Sequence, residues 1–153
     1  VLELFKVETV AIEKSRLLGA LGCRKDVSAL KSILELAMKP DQIRLQDVGS
    51  VFGTVASNHV ATELVFNYFF ENWERLNARF QGQLFVLKRI AGACLNVGYT
   101  EKHYNRIKDF MESHPKETAD IIQFRKALDG IRVRIAWIDK HLNPLLDYFK
   151  QNQ

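Results

Sequence analysis

Apolar positions along this chain recur at steps of three and four, with little of the alternation that marks strands. The clearest run is Ile121, Phe124, Leu128, Ile131, Ile135, Ile138 and Leu142, a continuous stripe down one side of a helix. Eight helices follow from such runs and their caps. The first covers about 2–21, the second begins at the cap Asp26 and reaches Met38, and the third runs from Asp47 to Ser57. The fourth spans about 59–80 and the fifth 84–97, while the sixth starts at the cap Thr100 and stops before Pro115. The seventh carries the long stripe. The eighth, about 144–150, opens on Pro144 as a first-turn proline.

Paired, these segments form helix hairpins beginning near residues 1, 42, 82 and 117, a spacing of about 35–40 residues that matches HEAT and armadillo repeats. The expected fold is all-α, a right-handed superhelix of antiparallel hairpins filling one domain over 1–153. No residue motif is shared between the hairpins, so the repeat is one of architecture. Hairpins of this kind bury their apolar faces only by stacking. The first helix presents Leu2, Phe5, Val10 and Leu17, which argues for a further neighbour.

The stretch ELVFNYFFENW at 63–73 poses a choice between an aromatic binding platform and a buried seam. Val60, Leu64, Phe66, Phe69, Phe70, Trp73, Leu76 and Phe80 cover more than one face, as a helix sandwiched between neighbours requires. Burial of each aromatic contributes roughly 1.5–3 kcal/mol, so exposing the set would forgo much of a domain's stability. These positions are read as core. With them go Phe52, Leu128, Ile131, Ile135, Trp137 and Ile138.

Composition narrows the function classes. The net charge of +4 arises from 22 basic and 18 acidic residues that are interspersed, as in Glu13-Lys14, Glu74-Arg75 and Asp139-Lys140. A nucleic-acid binder clusters its cations, so none is expected as a partner. No apolar run approaches the length of a membrane span, so no direct membrane contact is expected either. Two cysteines, Cys23 and Cys94, fit no metal spacing and leave pairing open.

Candidate chemistry is sparse. His59 and Glu63 stand four apart on the fourth helix, a spacing able to hold a metal, but further ligands are lacking. His103, His114 and His141 fall at or near helix ends, where histidines cap carbonyls. Gly49 and Gly53 form G-x-x-x-G in the third helix, read as close helix packing. No H-E-x-x-H, P-loop, G-x-G-x-x-G or G-x-S-x-G occurs, so no catalytic or metal residue is assigned. Arg24, Lys25 and Arg44 lie in loops between helices, where they could receive a carboxylate.

Four segments then carry a resemblance. EKSRLLGALGCRKD (13–26), IRLQDVGSVFGTVASN (43–58), LVFNYFFENWERL (64–76) and KALDGIRVRIAWI (126–138) are similar, in order, to the C-terminal domain of zinc aminopeptidases of the aminopeptidase N and endoplasmic-reticulum aminopeptidase type. Phe66 departs from a common Trp, Ala61 from Gly and Arg134 from Asn. The resemblance implies the latter half of a HEAT-like superhelix that closes over a catalytic domain and limits which peptides enter. Zinc, its H-E-x-x-H ligands and the G-x-M-E-N motif lie in earlier domains of that family.

It implies, for this chain, a non-catalytic domain with no cofactor of its own, partnered by the catalytic domain of the same polypeptide and by peptides, with room for a homodimer. Arg24, Lys25 and Arg44 become peptide-facing candidates. By family analogy the parent is extracellular or lumenal and membrane-anchored in type II topology, with cytoplasmic relatives as the alternative. The rival readings are an interaction module of an inactive aminopeptidase-like protein and a free-standing helical-repeat scaffold.

Overall fold

The computed structural model describes residues 1–80 and 82–152, and they fold as helices joined by short loops, with no strand among them. In chain order the helices are α1 (Leu2–Val7), α2 (Ala11–Gly22), α3 (Val27–Ala37), α4 (Leu45–Ala56), a 3-10 turn (His59–Ala61), α5 (Thr62–Glu71), α6 (Trp73–Phe80), α7 (Leu84–Leu95), α8 (Glu101–Ser113), α9 (Pro115–Thr118) and α10 (Gln123–Gln151). The protein is all-α, as the spacing of apolar residues predicts. Two compact units divide it, Val1–Val97 and Gly98–Gln153.

The first unit is built around α4, which packs against α2, α3, α5 and α7. Its Val48, Val51, Phe52 and Val55 are fully buried along one face of the helix, and Gly49 lets α7 approach closely. A Cβ at Gly49 would stand 2.8 Å from Arg89 Cβ, whereas at Gly53 nothing lies within 4 Å. Only the first glycine of the G-x-x-x-G pair therefore serves close packing. The aromatic stretch is core: Phe66, Tyr68, Phe69, Phe70 and Trp73 are all under a tenth exposed. Phe69 meets Phe70 edge-on at 5.4 Å and leans on Trp73 at the same distance. These are the offset geometries that ring quadrupoles favour.

The expected first helix is two. Glu8 adopts an extended backbone, and its carboxylate accepts the N–H groups of Thr9 and Val10 at 2.8 and 2.7 Å, so side-chain bonds replace a helical turn. The expected fourth helix opens as the 3-10 turn, capped by Asn58, and is interrupted at Asn72, whose side-chain amide donates to the Tyr68 carbonyl. His59 and Glu63 thus fall on different elements rather than on one helix. The caps at Asp26 and Thr100 are present, accepting from the Ser28 and His103 amides.

In the second unit α10 packs on α8. Phe124, Ala127 and Ile131 of α10 are buried, and Ile107 and Phe110 of α8 are buried too. Here two expectations need correction. The seventh and eighth helices are one helix of 29 residues, with Pro144 inside it. A proline there forfeits one hydrogen bond, to the Lys140 carbonyl, but both residues are exposed and water can satisfy that oxygen. His141 accordingly lies within α10 rather than near an end.

The long stripe is also not core throughout. Leu128, Ile135 and Ile138 are half-buried, and Trp137 is 51% exposed. Length gives the reason. At 1.5 Å per residue α10 is about 44 Å long, whereas the 13-residue α8 is about 20 Å.

Candidate functional site

The sequence candidates fall at the two ends of α4. Gly22 ends α2 against α4, where a Cβ would stand 2.3 Å from Thr54 Cγ2 and 2.9 Å from the Thr54 carbonyl oxygen. This approach brings the loop after α2 beside the end of α4. Asn58 then locks it: its side-chain amide donates to the Gly22 carbonyl at 2.7 Å and to the Arg24 carbonyl at 2.6 Å. The same residue's Oδ1 caps the 3-10 turn. One asparagine thus fixes three backbone groups and holds the Arg24–Lys25 backbone in place. The guanidinium of Arg24 and the amine of Lys25 stay exposed.

Beside them opens a cleft of about 480 Å³, lined by Gly22, Cys23, Lys25, Thr54, Ser57 and His59 among others. Its wall carries hydroxyls, an imidazole and an ammonium, the groups that hold an anionic or amide-rich chain. Arg44 is elsewhere. It caps the opposite end of α4, about 18 Å away along a 12-residue helix. Its Nε donates to Asp47 Oδ2 at 2.7 Å, so its charge is met within its own turn. A smaller pocket of about 160 Å³ lies there, with Lys14 on its wall and the Lys14 ammonium 5.0 Å from the Phe5 ring centre. The fold brings Arg24 and Lys25 together and separates them from Arg44.

A third polar group went unread in the sequence. The buried Tyr68 donates its hydroxyl to Glu35 Oε1 at 2.7 Å, and Arg75 reaches the same carboxylate with both terminal nitrogens at 3.3 and 3.0 Å. Arg75 also donates to Asn72 Oδ1 at 2.6 Å. The Arg75 guanidinium holds the Glu35 carboxyl below its ordinary value, with the Tyr68 hydroxyl adding to the effect. Burial and the Glu35 carboxylate push the Tyr68 hydroxyl up. This triad ties α3 to the junction of α5 and α6. Its one trace in the sequence is a tyrosine within an apolar run, whose hydroxyl needs a partner once buried.

The remaining chemistry is structural. Cys94 is fully buried and burial pushes its thiol up, while Cys23 is exposed; both are free thiols. His103 is buried, its Nδ1 2.8 Å from the Thr100 hydroxyl that caps its own helix. Arg134 donates to the Gly98 carbonyl at 2.6 Å, so it fastens a loop at the start of the second unit. Among the described residues no group of three His, Cys, Asp or Glu side chains is arranged to hold a metal ion. Among them, too, no helix is long and apolar enough to cross a membrane.

Comparison with known proteins places this arrangement. The family model described as "ERAP1-like C-terminal domain" matches residues 1–133. Aminopeptidase N of Haemonchus contortus is 31% identical over 153 residues, which is 99% of this chain and 16% of that protein. Endoplasmic reticulum aminopeptidase 2 of Bos taurus is 27% identical, over 94% of this chain and 15% of that protein. Aminopeptidase N of Homo sapiens is 26% identical, over 98% and 16% respectively. The chain therefore spans about a sixth of the length of these relatives. With its all-α fold, and with the family model covering all but its last 20 residues, this chain belongs to the ERAP1-like C-terminal domain family.

Proposed function

We propose that this chain is the non-catalytic C-terminal part of a zinc aminopeptidase-like protein, where it helps enclose the active-site cavity and bind peptide substrates. The observation that carries the reading is the family match over residues 1–133. Zinc would lie in the catalytic domain of the same polypeptide, supplying a Lewis acid and an activated water. The residues here do not fit that metal, because they offer neither H-E-x-x-H nor a cluster of three ligand side chains among the described residues. The parent's placement would follow its relatives, in the extracellular space or a lumen.

Arg24 and Lys25 are the peptide-facing residues in this reading. Asn58 fixes their backbone while their charged ends remain exposed beside a cleft large enough for several peptide atoms. A charged hydrogen bond to a peptide carboxylate contributes about 1.5–3 kcal/mol. Replacing Arg24 with Ala in the whole protein should therefore weaken binding of long peptides about tenfold or more. Calorimetric titration with a catalytically silenced parent measures it. An affinity equal to that of the unsubstituted protein rejects Arg24 as a peptide contact.

A further inference from the structure

The apolar side of α10 does not stop where its cover ends. Ile131, Ile135, Ile138, Leu142, Leu145 and Phe149 follow one another at steps of four, three, four, three and four. Their exposure rises along the helix. Ile131 is buried, Ile135 and Ile138 are half-buried, and Leu142, Leu145 and Phe149 are 38, 41 and 53% exposed. The seam that faces α8 thus continues, with unbroken register, for about three turns beyond it. The steps average 3.6, so the stripe stays on one side of a straight helix to its end, and a contiguous apolar stripe left facing water marks a surface that another element covers. The geometry calls for a helical cover.

We propose that a helix of the same polypeptide, lying upstream of residue 1, packs along Ile138, Leu142, Leu145 and Phe149. The proposal rests on reading this chain as the C-terminal part of a longer aminopeptidase-like protein. One observation favours this occupant over a second copy. Relatives such as aminopeptidase N of Haemonchus contortus are about six times as long as the matched region, so the parent would hold ample helix to supply the cover.

The test is a photo-crosslinking amino acid at position 145 of the full-length protein, read by peptide mass spectrometry. The expected product is an intramolecular link to a helical segment upstream of residue 1. Links to a second copy, links confined to residues 1–153, or solvent quenching alone would each overturn the proposal. Hydrogen exchange gives a second reading. Leu142→Glu with Leu145→Glu should speed amide exchange over 138–149 at least tenfold in the full-length protein. Lys140→Ala, off the seam, should leave it unchanged. Equal exchange in both variants would overturn the proposal as well. Glutamate is itself a good helix former, so accelerated exchange would report lost cover rather than lost propensity. Loss of the peptide-binding role of Arg24 would leave the crosslink standing, so the two readings fail separately.

Discussion

Alanine at Gly22 tests the contact that builds the candidate cleft. Two effects oppose each other. Removing a glycine from a helix gains about 0.5–1 kcal/mol. Against that, the new methyl would stand 2.3 Å from Thr54 Cγ2 and 2.9 Å from a backbone oxygen that cannot rotate away. Overpacking of this kind costs about 1–3 kcal/mol. The contact distances favour the upper part of that range, so the expected net loss is about 1–2 kcal/mol. In a unit of this size, that lowers the unfolding midpoint by about 4–16 °C.

Gly19 supplies the control. It lies in the same helix, exposed, with nothing within 4 Å of its Cβ position. Gly19→Ala should therefore raise the midpoint by a few degrees through the propensity gain alone. Thr54→Ser should recover part of the Gly22→Ala loss, since it removes the nearer clash and leaves the carbonyl. Trp73 lies in the first unit and Trp137 in the second, so thermal unfolding followed by fluorescence in a Trp137→Phe background reports on the first unit alone. If Gly22→Ala proves as stable as Gly19→Ala, α2 and α4 do not approach as described, and the fixed position of Arg24 loses its basis.

Two further predictions concern side chains. Because Arg75 holds the Glu35 carboxyl below its ordinary value, the triad stabilises the fold above that value. The stabilisation is lost as pH falls through the lower, folded value. Glu35→Gln should flatten the acid limb of a stability–pH curve, and an unchanged limb would assign that limb to other carboxylates. Thiol titration should find one rapidly reacting cysteine in the native protein, Cys23, and a second, Cys94, only on unfolding. Two fast thiols in the native state would contradict the burial of Cys94.

Local pattern settled most of the elements. The steps of three and four, with caps at Asp26 and Thr100, were enough to give an all-α chain with nearly correct helix limits. The aromatic stretch was legible as core because so many rings on adjacent faces cannot all face water. The helix breaks were harder to see, since Glu8 and Asn72 act through their own side-chain bonds to nearby backbone, and a hydrophobicity pattern runs through both. Pro144 misled for the opposite reason: in an exposed helix its missing bond is tolerable, so it did not start a new element.

What the sequence determined by itself was therefore the class of structure and, through the four resembling segments, the family. Both depend on residue types at short separations. Tertiary structure decided the rest, because it joins residues far apart along the chain. Asn58 locks the Gly22 and Arg24 carbonyls across more than thirty residues, Arg75 reaches Glu35 across 40, and the length of α8 sets where the stripe of α10 passes from buried to bare. No spacing rule encodes these outcomes, since each depends on where two helices happen to meet.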